Sequence, residues 1–116
     1  MEGYIKLHRK LIDSAVWAHP IALKIWVWCL IKARRNNGYV PVKFGRSSEI
    51  VKLTQGQFIY GRSKVEEVGI NPETIRYWLN KFASEEFGMI SINVTNHFSI
   101  ITIFNWEFYQ GEIMEE

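Results

Sequence analysis

Residues 61–90 read GRSKVEEVGINPETIRYWLNKFASEEFGMI. Two short helical patterns flank a tight break. Across 62–68, apolar Val65 and Val68 stand three apart, and Gly69 follows, where a helix ends in a left-handed conformation. Ile70 supplies an apolar anchor in the turn. Asn71 is placed to cap the next helix, with Pro72 at its first position and Glu73 suited to its dipole. In that second helix Ile75, Leu79 and Phe82 recur at i, i+4, i+7, and Trp78 beside them is expected to bury its ring against the preceding helix. The opposite face presents Glu73, Tyr77, Asn80 and Ser84, flanked by Arg76 and Lys81. A helix, a short Gly-containing turn and a second helix with a polar outer face form a helix-turn-helix pattern; a plain αα-hairpin of a core is the competing reading.

The residues that follow decide between them. Residues 89–95, MISINVT, alternate apolar and polar, and 99–104, SIITIF, are rich in β-branched residues, with Asn96 and His97 at the bend between. A helix-turn-helix running into a β-hairpin predicts an α+β winged helix-turn-helix. Its parts are a three-helix core, an N-terminal helical segment and a small antiparallel sheet whose hairpin is the wing. The domain is expected over 1–110, with 111–116 a frayed acidic tail.

Upstream, Leu7, Leu11 and Ile12 suggest a short helix ending before Trp17, which turns an aromatic back toward the core. His19-Pro20 opens the next helix. Residues 21–35 are apolar on most sides, so this helix is expected to be buried nearly all round, either as the central support of one core or also under a dimer partner. Residues 39–48, YVPVKFGRSS, contain Pro41 and Gly45 and read as a loop or irregular edge. A short strand at 49–53, a turn at 54–57 and a strand at 58–60 that pairs with the wing complete the sheet. Trp106, Phe108 and Tyr109 are expected to pack back on the body.

Bulk composition bounds the function. The 116 residues suit one domain with a single core, and 15% aromatics point to an aromatic core or interface. The start has no signal-peptide core, and His19, Pro20 and Lys24 interrupt the longest apolar run, so neither secretion nor a membrane span is expected and a cytoplasmic location is. The single Cys29 can form no internal disulfide. The net charge of +2 argues nothing by itself, but its distribution is polarised. Eight bases (Lys32, Arg34, Arg35, Lys43, Arg46, Lys52, Arg62, Lys64) face Glu49 alone, while four Glu and no base lie from Glu107 to the end. A basic middle of this kind is either a nucleic-acid footprint or a solvated face.

No enzymatic chemistry is legible. His8, His19 and His97 lie far apart with no Cys pair, so no metal spacing exists, and no phosphate loop or nucleophile elbow occurs. Glu66-Glu67 and Glu85-Glu86 read as solvated charges. No cofactor is called for, and the chain reads as a binding module.

Three stretches together carry a resemblance. GYIKLHRKLIDSAVW at 3–17, KLTQGQFIYGRSKVEEVGINPETIRYWLNKF at 52–82 and IITIFNWEFYQ at 100–110 resemble the N-terminal domain of bacteriophage replisome organiser proteins, itself similar to the N-terminal winged helix of DnaD-type primosomal proteins. The opening segment, the GQF strand and the closing N-x-x-x-Y-Q are the distinctive parts. Lys64, Val65 and Trp78 depart from the family pattern, which favours an apolar residue, Ala and a small residue there. The resemblance implies origin recognition or DNA loading at the start of phage replication, with possible self-association and replication-protein partners. It implies double-stranded DNA contacts from Arg62, Ser63 and Lys64, from the exposed side of the second helix (Asn71, Glu73, Thr74, Arg76, Tyr77, Asn80, Lys81), and from the wing tip at Asn96 and His97. In that role Arg76 and Asn80 would read bases, while Arg62, Lys64 and Lys81 would hold phosphates. A transcription regulator, or a winged helix that binds protein and not DNA, are the alternatives. Glu73 on the outer face favours the last, unless it accepts from a cytosine amino group.

Overall fold

A computed structural model describes residues 3–61 and 65–110. Arg62, Ser63, Lys64 and the 111–116 tail therefore lie outside the described residues. The class is α+β. Two 3-10 turns, Arg9–Asp13 and Ala15–Ala18, lead into helix α1, Pro20–Lys32. Strands β1, Gly38–Phe44, and β2, Ser47–Leu53, come next, then β3, Gln57–Tyr60. A 3-10 turn at Val65–Val68, helix α2 at Pro72–Ala83, strands β4, Ile90–Val94, and β5, Ser99–Ile103, and helix α3 at Trp106–Gln110 complete the chain. No helix among the described residues is long and apolar enough to cross a membrane.

The turn between the two helical patterns forms as the residues predict. Gly69 has φ +74°. The Asn71 side chain accepts from the Glu73 N–H at 2.7 Å, and Pro72 occupies the first turn of α2. The helix before the turn differs from the expectation: its described part is one 3-10 turn, with Val65 and Val68 buried. The apolar spacing there supplies two anchors, too few to bury a longer helical face. Glu67, read as a solvated charge, is tied to α1. Its Oε2 accepts from the Trp28 indole N–H and pairs with Lys32 Nζ, each at 2.8 Å. A buried indole N–H needs such an acceptor, because leaving it unpaired costs about 1 to 3 kcal/mol.

Helix α1 buries Ala22, Ile25, Trp28, Cys29 and Leu30. It is not buried all round, since Ile21 and Ile31 are about half exposed. Its apolar residues outnumber the sites that α2 and the sheet can cover. Trp17 also stays at the surface, and Val16 is the residue that enters the core. At the other end of the chain Trp106 is buried, whereas Phe108 is exposed because one short helix presents a single face to the body.

Strands β3, β5 and β4 form a three-stranded antiparallel sheet in that order, so the strand before the helices does pair with the hairpin. Phe58 lies opposite Ile101, which also faces Ile92. This face joins α1 and α2 in the main core, through Phe58, Ile90, Ile101 and Ile103. The alternate residues Ile59 and Ile100 point the other way, into a second small core with Val40, Val42, Val51, Leu53 and Phe98. The sheet is thus covered on both faces, which accounts for the adjacent apolar residues Ile100 and Ile101 of β5, one for each core.

The cover on the second face is the β1–β2 hairpin, where a loop was expected. Its two seven-residue strands pair from Gly38↔Leu53 to Phe44↔Ser47. Gly45, at φ +64°, and Arg46 make the two-residue turn. Gly in the first central position with φ > 0 is what a type II′ turn requires, and that turn matches strand twist. Pro41 does not break the strand. In this hairpin the pair flanking the turn is hydrogen-bonded and pairs alternate from there, so Pro41↔Ile50 is a non-bonded pair whose missing N–H leaves nothing unpaired.

Candidate nucleic-acid interface

Helix α2 faces outward with Glu73, Arg76, Tyr77 and Asn80, all exposed, at i, i+3, i+4 and i+7. Its inward stripe, Ile75, Leu79 and Phe82, is buried, so the predicted amphipathic rotation is the observed one. Thr74 is half-buried beside the stripe. Asn71 has its Oδ1 committed to the cap, leaving its NH₂ as the group available to a partner. Ser84 ends the helix, its Oγ donating to the Lys81 carbonyl at 2.6 Å, and is not part of the outward stripe. Lys81 is half-buried, with its Nζ 5.9 Å from the centre of the Phe87 ring. A cation held over a ring keeps part of its attraction at home.

Arg76 also acts on its surroundings. Burial pushes the Tyr60 phenol above its ordinary value, and the nearby Arg76 guanidinium opposes that rise. The end of β3 is thus within electrostatic reach of the outward face of α2, and Tyr60 is a hydrogen-bonding group there that the residue pattern alone did not single out.

Trp78 sits at the edge of the buried stripe and is only half-buried. Its ring lies 5.1 Å from His19, at the entry to α1, and 6.2 Å from Phe82. Half-burial lowers its expected worth. Trp78→Ala should cost about half of the roughly 3 to 5 kcal/mol for a fully buried ring. Urea unfolding of the two proteins measures this, and a loss as large as that of a core phenylalanine would mean the ring is shielded in solution.

The β4–β5 hairpin follows α2 after the short connection of residues 84–89. The Phe82 carbonyl accepts from the Met89 N–H at 2.8 Å, which fixes the start of β4 against the end of α2. At the tip, Thr95 and Phe98 close the loop: the Thr95 N–H and Oγ1–H both donate to the Phe98 carbonyl, at 2.8 and 2.7 Å. Asn96 and His97 project from this tip, both exposed. His97 does not stand alone. Its ring stacks on Phe44 with centroids 4.0 Å apart and planes 7° from parallel. The tip of the β4–β5 hairpin thus touches the tip of the β1–β2 hairpin.

Reactive groups are sparse. Burial pushes the Cys29 thiol far above its ordinary value, so it stays protonated and unreactive. Among the described residues no three His, Cys, Asp or Glu side chains come together as a metal site. The chain matches no family model, no curated protein and no solved structure.

Proposed function

We propose that this chain is a winged-helix module that binds double-stranded DNA, with α2 as the recognition helix and the β4–β5 hairpin as the wing. One observation carries the reading: α2 displays four exposed hydrogen-bonding side chains on one stripe and is followed, after residues 84–89, by a β-hairpin. A major groove admits a helix of this kind. Arg76 can pair with guanine or phosphate, and Asn80 bidentately with adenine. The role in phage replication initiation, in the cytoplasm and beside other replication proteins or a second copy, rests on the three resembling stretches and belongs to the same proposal.

A second reading is favoured by a different surface. Leu7, Ile12, Trp17, Phe104 and Phe108 are large apolar residues left exposed, and Leu7 and Phe104 border a cleft of about 460 Å³ that also reaches Trp26 and Trp106. A surface of that kind suits a protein-interaction module that uses the fold as a scaffold. A transcription regulator would use the same α2 face.

One titration separates DNA binding from the protein-interaction reading. Affinity for a selected duplex should fall linearly in log–log form with salt, by about 0.9 per phosphate neutralised. Arg76→Ala or Asn80→Ala should lose about 1 to 3 kcal/mol on the selected site and little on a scrambled duplex. Equal losses on both duplexes would reduce α2 to a phosphate contact. Absence of any duplex binding at low salt would leave the protein-interaction reading.

A further inference from the structure

We infer that the β1–β2 hairpin is a second DNA-binding arm, whose outer face lies along the phosphate backbone of the same duplex beside the wing. The inference rests on the DNA reading of α2 and the wing. Alternation along the hairpin sends Val40, Val42, Val51 and Leu53 into the small core. The opposite face carries Tyr39, Pro41 and Lys43 on β1, paired across to Lys52, Ile50 and Ser48 on β2, and all six are exposed. Arg46 stands exposed at the turn. Lys43, Arg46 and Lys52 are the charges of this surface. The single carboxylate of the hairpin, Glu49, pairs with Val42 and so belongs to the other side. None of the three cations is paired with a carboxylate among the described residues. They are free to meet an anion, unlike Lys32, which is held by Glu67.

Position selects the anion. The stacked rings of His97 and Phe44 join the wing tip to the hairpin tip, so Lys43 and Arg46 stand next to the wing tip. DNA that touches Asn96 and His97 comes within reach of the hairpin tip. From the level of Lys43 to that of Lys52 is about four residues of strand, roughly 14 Å. That is the axial length of about four base pairs, enough for the three cations to reach separate phosphates of one strand. A surface of cations spaced by Tyr39, Ile50 and Pro41, with no carboxylate or amide side chain, suits a phosphate backbone better than base edges.

The test uses the full chain and labelled random-sequence DNA, as duplex and as single strand, titrated by anisotropy over a range of salt. The variant K43A/R46A/K52A changes only exposed side chains and should melt with the parent. On duplex it should bind more than tenfold more weakly at low salt, with a salt slope shallower by about 2 to 3. The charge-conserving variant K43R/R46K/K52R should keep the parental slope. If the parent binds duplex and K43A/R46A/K52A keeps its affinity and slope, the arm is overturned and the α2 reading stands. If the parent binds no duplex, both fall together. A loss confined to single strands overturns the assignment to duplex. A parental dimer that Ile50→Asp dissociates would make this face a self-association surface and also overturn the inference.

Discussion

Gly56→Ala should destabilise the protein by roughly 2 to 5 kcal/mol, while Gly45→Ala, at a similar backbone angle, should cost only about 1 to 2. Both glycines have positive φ, +82° and +64°, so both variants bear a conformational penalty. They differ in what a methyl group would meet. At Gly45 nothing lies within 4 Å. At Gly56 the new Cβ would stand 2.7 Å from the Trp106 Cβ, 3.0 Å from its Cγ and 3.4 Å from the Ile103 carbonyl oxygen. The Trp106 Cβ cannot swing away as the end of a long side chain would, because it is bonded to the backbone of α3. Retreat of the glycine is blocked as well. Its N–H donates to the Arg34 carbonyl and its carbonyl accepts from the Ile103 N–H, each at 2.9 Å. This one residue therefore ties the segment after α1 to the end of β5, under the buried Trp106. Urea unfolding of both variants reads the difference. Equal midpoints would show that α3 shifts freely and that Trp106 is not part of a rigid core.

Phe82→Ala should cost about 3 to 5 kcal/mol, among the largest losses of any single truncation in the chain. The ring is fully buried and meets three others: Trp26 edge-on at 5.6 Å, Trp78 at 6.2 Å and Phe87 at 6.3 Å. Removing it leaves a cavity between α1 and α2 that tryptophan rings fill poorly, since their own positions are held from other sides. Phe82→Leu keeps most of the volume and should lose less, about 1.5 kcal/mol. Tyr77→Ala, on the exposed side of the same helix, should change unfolding little while touching the proposed DNA face. Measured side by side, the three variants separate the core face of α2 from its outward face. A Phe82→Ala protein that unfolds with Tyr77→Ala would mean that the aromatic cluster does not hold α2 in place.

These expectations rest on features of unequal legibility. The cap and the amphipathic face of α2 depend on neighbours within one or two turns, so Asn71, Pro72, Ile75, Leu79 and Phe82 announced them. Alternation and β-branching did the same for β4 and β5. Val65 and Val68 fit a helical period, but two positions cannot prove one, and the described part of that stretch, 65–68, is a single 3-10 turn. Gln57 shows how a local reading stops short. It appears in a turn, yet it begins β3 and its side-chain NH₂ donates to Thr102 Oγ1 at 3.0 Å, forty-five residues on.

What the sequence by itself determined is therefore the α+β class, the outward polar stripe of α2 and the hairpin after it, since each follows from backbone propensity and side-chain period over a short span. Only the tertiary structure decided the rest. Pro41 and Gly45 looked like breakers until the register put one at a non-bonded position and the other in a two-residue turn. Glu67 looked solvated until Trp28 and Lys32 closed on it. The basic middle of the chain was only a charge count until Phe44 met His97 and brought the tip that carries Lys43 and Arg46 to the β4–β5 hairpin. In each case the partner lies far along the chain, and no periodicity within a segment encodes a contact made across the fold.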